Sequence, residues 1–184
     1  MKRIVWTFGL ISGAVISVLM ASSILIVDKL GLQHSMYIGY ATMVAAFAMI
    51  WFGVRTYRDN VLGGSIGFGR AFSTGLLITL ISSCCYVATW EVLYHTVLPD
   101  FADKYAVQVL KEATAAGKPA AEIEQTRVKM EEFKTMYANP FYNVGMTFLE
   151  PLPVGILVAL VTAGVLSRKR KVMGALGREP AAMT

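Results

Sequence analysis

The titratable side chains within or beside the apolar stretches of this chain include Glu91, His95 and Glu150. Carboxyl and imidazole groups can exchange protons near neutral pH and can bind metal ions. An ionised carboxylate costs about 2.5–3.5 kcal/mol at the centre of a membrane-spanning helix, so such a group needs a partner. The residues leave four roles open: a hydrogen-bonded carboxyl group that ties helices together, proton or ion transfer, metal binding, and an interfacial residue without a special role. We favour the first.

The spacing of these residues does not match a known metal site or catalytic set. Two carboxylates and one histidine at unrelated positions lack the ligand spacing of zinc proteins. No combination of Ser, His and Asp suggests a nucleophile with its base. The sequence therefore predicts a protein without a metal ion or cofactor that is not an enzyme.

Glu150 belongs to an unusual Glu-Pro-Leu-Pro sequence inside the last apolar segment. Pro151 and Pro153 have no N–H, so the carbonyls four residues earlier lose their helical donors. A helix beginning at Pro151 would have 16 residues to Leu166, which is about 24 Å and short for a hydrocarbon core of about 30 Å. We therefore predict a kinked helix that carries Glu150 at a depth similar to that of Glu91. A short helix that begins at Pro151 and leaves Glu150 outside it is the alternative.

The composition indicates an integral membrane protein. The chain has 184 residues, of which 55% are hydrophobic and 16% are charged, whereas soluble domains have about 25% charged residues. The charged residues gather between four long apolar runs, so we predict an all-α membrane domain over residues 1–171 and a flexible cytoplasmic tail over 172–184. The four predicted spanning helices are about 4–27, 36–54, 71–94 and 143–166.

The segment between the third and fourth runs, residues 96–140, has a different composition. It is rich in charged residues and contains a Gly117-Lys-Pro119 break, with helical apolar periodicity on both sides. We predict an extracytoplasmic helical hairpin whose apolar stripes bury against each other or against the membrane surface. A groove for a partner protein is the alternative.

Small residues recur every four positions in the first run, at Gly9, Gly13 and Ser17. They lie on one helix face and allow close approach of another helix, so we predict a helix-packing role. The loop 55–70 contains four glycines but no Gly-Lys-Ser/Thr, which argues against phosphate binding. We predict that this loop is flexible, with Ile66 and Phe68 inserted into lipid.

The basic residues predict the orientation of the chain in the membrane. Segments on one side of the four helices hold ten basic and two acidic residues, and positive residues near helix ends are retained in the cytoplasm. Both termini are therefore predicted to be cytoplasmic, in a bacterial inner membrane. The basic residues flank apolar runs and do not line a polar face, which favours anionic lipid over nucleic acid. The predicted headgroup contacts are Arg168, Lys169, Arg170 and Lys171.

Two sequences resemble a known family: Gly64-Ser-Ile-Gly-Phe-Gly-Arg70-Ala-Phe72 and Phe148-Leu-Glu-Pro-Leu-Pro-Val-Gly155. They are similar to a bacterial family of small membrane proteins known only as a domain of unknown function (number 4199), over roughly residues 4–171. The resemblance implies four transmembrane helices in an envelope membrane. It implies no activity, substrate or catalytic residue.

These features predict a small membrane protein that acts by self-association or by association with an envelope complex. The alternative is an oligomeric proton- or ion-linked transporter of small solutes that uses Glu150, since four helices per chain are few for a carrier.

Overall fold

The computed structural model describes residues 1–30 and 35–168, with side chains described outside 24–36. These residues form seven α-helices and no β-strand, which confirms the predicted all-α class. The helices are α1 (Lys2–Leu30), α2 (Ser35–Asn60), α3 (Phe68–Thr96), α4 (Phe101–Ala115), α5 (Ala120–Tyr137), α6 (Pro140–Leu149) and α7 (Leu152–Leu166).

Within the residues that the structure describes, four segments are long and apolar enough to cross a membrane. They are Lys2–Ser23, Tyr37–Asn60, Phe68–Thr96 and Pro140–Leu166, the last formed by α6 and α7 together. A helix satisfies its own backbone hydrogen bonds, so each segment can enter lipid without leaving N–H or C=O groups unpaired. The chain is thus an integral membrane protein with four candidate spanning segments.

The helices extend past the apolar runs from which their bounds were predicted. The clearest case is α2, which continues from Val54 to Asn60. Hydropathy marks the part of a helix that suits lipid, whereas backbone hydrogen bonding continues through polar residues. An ion pair between Arg55 and Asp59 (3.5 Å) lies in this extension. Gly63 and Gly64, with φ of 65° and 94°, then reverse the chain.

The central helix is α3, which contacts α1, α2 and α7. Apolar side chains from α1, α2 and α3 are fully buried there, and α7 adds Ala159 and Ala163 with no exposed surface. The largest fully buried apolar side chains are Phe47, Ile16, Met43, Ile50, Ile78 and Val54.

Glycines set the distance between α3 and its neighbours. A Cβ atom on Gly75 would lie 2.9 Å from the Ala159 Cβ and 3.0 Å from the Ile50 Cγ2, and one on Gly155 would overlap the Thr79 side chain. Backbones that approach so closely gain van der Waals contact along the whole crossing, which is the main attraction between helices in lipid.

The Gly9, Gly13 and Ser17 face of α1 packs against α3 within the same chain. A Cβ on Gly9 would lie 2.8 Å from the Ile81 Cβ, and one on Gly13 would lie 2.6 Å from the Cys85 Sγ. Ser17 Oγ accepts a hydrogen bond of 2.7 Å from Thr89. The small residues are therefore used for packing inside the monomer.

Ile66 corrects the prediction for the loop between α2 and α3. Its side chain is 6% exposed and packs in the hydrophobic core, so it does not insert into lipid. Phe68 begins α3 and is 48% exposed. Glycine residues near Ile66 on both sides allow the loop to turn back toward the helices. The spacing of apolar residues in the sequence does not indicate such a turn.

The start of α1, the end of α2, the start of α3 and the end of α7 lie at one end of the bundle, because consecutive spanning helices are antiparallel. Among the described residues this basic end carries one acidic side chain, Asp59, and six basic ones. The six are Lys2, Arg3, Arg55, Arg58, Arg70 and Arg168. Lys169, Arg170, Lys171 and the predicted tail 172–184 lie outside the described residues.

At the opposite end, α4 and α5 connect the third spanning segment to the fourth. They turn at Gly117, which has a φ of 67°. An ion pair of 2.9 Å joins Lys134 on α5 to Asp103 on α4, and the rings of Tyr105 and Phe133 lie 5.5 Å apart. The apolar stripes of the two helices thus meet each other.

Candidate functional site

The fourth spanning segment is interrupted at Glu150 and Pro151. Glu150 has φ −61° and ψ −51°, and Pro151 has φ −78° and ψ −17°, so both remain in the right-handed helical region. Pro151 cannot donate to the Thr147 carbonyl, and Pro153 cannot donate to that of Leu149. The interruption lies at the two prolines for which a kink is predicted, with Pro151 buried and Pro153 exposed.

Glu150 is the eleventh of the 27 residues in its spanning segment, only about 5 Å from the middle at 1.5 Å per residue. Its Oε2 accepts a hydrogen bond of 2.9 Å from the Tyr86 hydroxyl on α3. Tyr86 is 9% exposed, whereas Glu150 is exposed at the surface of the bundle. An acidic side chain therefore sits near the centre of the apolar zone with one protein partner.

Glu91 and His95 form a separate pair, with 3.5 Å between Glu91 Oε2 and His95 Nε2. Glu91 follows Tyr86 by five residues, which places it about 7.5 Å nearer the α4–α5 end. The three residues of the predicted polar cluster thus have separate partners, since Glu91 pairs with His95 and Glu150 with Tyr86. Within the described part of the chain, no three His, Cys, Asp or Glu side chains are grouped so that they can hold a metal ion.

Asn143 on α6 forms a second polar contact with α3. Its Oδ1 accepts hydrogen bonds from Trp90 Nε1 and from Thr147 Oγ1, both at 3.2 Å, and the residue is 1% exposed. Thr147 lies on the same helix as Asn143, so the bond from Trp90 is the one that joins α6 to α3. Separating the two helices would leave the Trp90 N–H without its acceptor. The sequence analysis did not identify Asn143 or Tyr86. Their one signal was a polar group inside an apolar run.

An aromatic cluster attaches α4 and α5 to this region. Trp90 packs edge-on against Phe101 at 4.8 Å, and Tyr137 lies between Phe133 at 5.0 Å and Tyr94 at 5.6 Å. Tyr137 is 8% exposed, and this burial raises its pKa to about 12. The cluster thus holds α4 and α5 against the end of α3.

A groove remains open between α2 and α6 in this half of the bundle. The helix α6 contacts α3, α5 and α7 but makes at most marginal contact with α2, whereas α7 packs firmly on α2 in the other half. Tyr40 on α2 is 50% exposed in consequence. We call this opening the α2–α6 groove and define it by Tyr40, Tyr86 and Glu150.

The chemistry available at this site is hydrogen bonding and proton exchange. The Glu150 carboxyl group has one acceptor oxygen engaged by Tyr86 and is reachable from the groove. Facing lipid, an ionised carboxylate at this depth would cost a few kcal/mol, so the group is either neutral or covered by a hydrogen-bonding partner.

Comparisons with known proteins identify a family for this chain but no activity. No curated protein and no solved structure matches the chain. Residues 7–168, which include the four spanning segments except for the first five residues of the first, match the family described as "Protein of unknown function (DUF4199)". The chain belongs to this family.

Proposed function

We propose that this protein is a non-enzymatic component of the bacterial inner membrane that acts by associating with a second copy of itself or with an envelope complex. The observation that carries the proposal is the exposed Glu150 carboxyl group near the middle of the fourth spanning segment. Association would cover this group and supply a second hydrogen-bond donor, whereas lipid tails supply none.

The small residues of α1 do not support the proposal, although they first suggested it. Gly9, Gly13 and Ser17 already face α3. An association surface must therefore lie elsewhere, and Glu150 is the polar residue that indicates where.

The proposed orientation places the basic end in the cytoplasm and α4 and α5 outside. Its support is the excess of six basic over one acidic side chain among the described residues at that end. These side chains would also contact anionic lipid headgroups. Reporter fusions after residue 62 and after residue 117 test the orientation. We expect cytoplasmic activity from the first and extracytoplasmic activity from the second, and the reverse pattern would overturn it.

Native mass spectrometry from lipid nanodiscs tests association directly, together with crosslinking in intact membranes. We expect a dimer or larger species, or a reproducible crosslinked partner. A monomer at all protein-to-lipid ratios with no crosslinked partner would refute the proposal.

A second candidate function is an oligomeric carrier of small solutes linked to protons or ions. The observation in its favour is an interrupted helix with a titratable residue close to the middle of the membrane, an arrangement that transporters use for binding sites. Proteoliposomes containing a pH-sensitive dye test it. The carrier predicts a proton flux that Glu150→Gln abolishes, and equal fluxes for the two proteins would exclude it.

A further inference from the structure

One face of α2 changes from buried to exposed along the helix. Tyr40, Phe47 and Val54 recur every seven residues, so they lie on nearly the same face. Phe47 and Val54 are 0% exposed, but Tyr40 is 50% exposed. The helix α7 packs on α2, whereas α6 makes at most marginal contact with it. Tyr40 therefore faces the place that a continuous fourth helix would have occupied.

The three residues of the α2–α6 groove lie at one depth. The close contact of Gly75 with Ile50 and Ala159 provides a common reference level for α3, α2 and α7. Tyr86 lies eleven residues from Gly75, Tyr40 lies ten residues from Ile50, and Glu150 lies nine residues from Ala159. Along the helices these separations are about 16, 15 and 14 Å.

The groove thus presents an exposed hydrogen-bond donor beside an exposed acceptor. The Tyr40 hydroxyl can donate, and among the described residues only Tyr86 donates to the Glu150 carboxyl group. Two copies with the same orientation in a membrane are related by a two-fold axis along the membrane normal, which keeps every residue at its own depth. Because Tyr40 and Glu150 differ in depth by only about 1.5 Å, such an axis can bring each hydroxyl to the other copy's carboxyl group.

We propose that the α2–α6 groove is the interface with a second copy of this chain, in which Tyr40 of each copy donates a hydrogen bond to Glu150 of the other. The inference rests on the proposed self-association and names its surface. The interface is self-complementary, as two-fold contacts require. It covers both polar groups at once, which lipid cannot do.

Dimer affinity in liposomes tests the inference, measured by energy transfer between labelled copies over a range of protein-to-lipid ratios. Tyr40→Phe removes the donor and Glu150→Leu removes the acceptor. We expect each variant to weaken the dimer roughly tenfold through loss of two equivalent hydrogen bonds, and the double variant to be no weaker than either single one. Tyr37→Phe is the matched control, since Tyr37 is 72% exposed one turn away, and it should leave affinity unchanged.

Mixing the two single variants distinguishes a bond between copies from a bond within one chain. A mixed dimer of one Y40F copy and one E150L copy keeps one of the two hydrogen bonds. After correction for the statistical factor of two, its affinity should be about threefold higher than that of a dimer of either variant alone. A mixed pair no tighter than the variant pairs would overturn the inference, as would a dimer insensitive to both changes. In either of these cases the proposed self-association would stand, but the copies would associate through another interface. A protein that is monomeric at every ratio would instead refute self-association itself.

Discussion

The contact of Gly155 with Thr79 gives a sharp test of how α7 packs on α3. Gly155→Ala would place a methyl group onto Thr79, overlapping Cγ2 and lying 2.8 Å from Oγ1 and 3.1 Å from Cβ. Both residues are fully inside the bundle and belong to helix backbones that cannot shift independently. Extra methyl groups in a well-packed core cost about 1–3 kcal/mol. We expect Gly155→Ala to lower the free energy of unfolding by that amount.

A matched control exists in the same helix. A Cβ on Gly164 would meet nothing within 4 Å, so Gly164→Ala should be neutral or gain up to about 1 kcal/mol from helix propensity. The two variants add the same methyl group to α7, so the difference between them isolates the contact with α3. Unfolding by sodium dodecyl sulfate in mixed micelles, followed by the fluorescence of the three tryptophans, provides the measurement.

A compensating change on α3 completes the experiment. Thr79→Ala removes the two atoms nearest the added methyl group, although it also removes the Thr79 hydrogen bond to the Gly75 carbonyl (3.0 Å). We expect Gly155→Ala combined with Thr79→Ala to be more stable than the sum of the single effects by about 1–2 kcal/mol. Equal stabilities of Gly155→Ala and Gly164→Ala, or strictly additive effects in the pair, would show that α3 and α7 do not pack as described.

Two further predictions concern the attachment of α6 and of α4–α5. Asn143→Leu leaves its two hydrogen-bond donors without an acceptor, and we expect a loss of about 1–3 kcal/mol in the same unfolding assay. Wild-type stability of this variant would argue against the contact. Because burial raises the pKa of Tyr137 to about 12, the stability contributed by its neutral hydroxyl is complete below the unfolded-state pKa near 10 and is lost as pH rises through about 12. Tyr137→Phe should therefore lose less stability than the wild type between pH 9 and pH 11.5, and an equal loss would contradict this account.

The spanning helices were predictable because their cause is local. A run of apolar residues suits lipid wherever it lies in a fold, and a helix pairs its own backbone groups. The same holds for the interruption at Pro151 and Pro153, where the missing N–H groups can be read from the sequence. The length of α2 was less predictable, because helical hydrogen bonding continues through Arg55 and Arg58 after the apolar run has ended.

The partners of the polar side chains were not predictable. Glu91 and Glu150 looked equivalent in the sequence, yet Glu91 pairs with His95 and Glu150 with Tyr86. Which side chains meet depends on the rotation and the relative height of two helices. Successive residues of an α-helix lie about 100° apart around its axis, so a shift of one residue brings a different side chain to the contact. Ile66 shows the same limit, since only the completed bundle offers it a buried position.

The sequence alone therefore determined that this chain is an all-α membrane protein with four spanning segments and a broken fourth helix. Only the tertiary structure decided that Gly9, Gly13 and Ser17 serve packing within the monomer, and that the exposed Glu150 takes Tyr86 as its hydrogen-bond partner. The physical reason is that hydropathy and backbone pairing act within a segment, whereas heights and rotations of helices are set by close contacts between segments, such as those at Gly75 and Gly155.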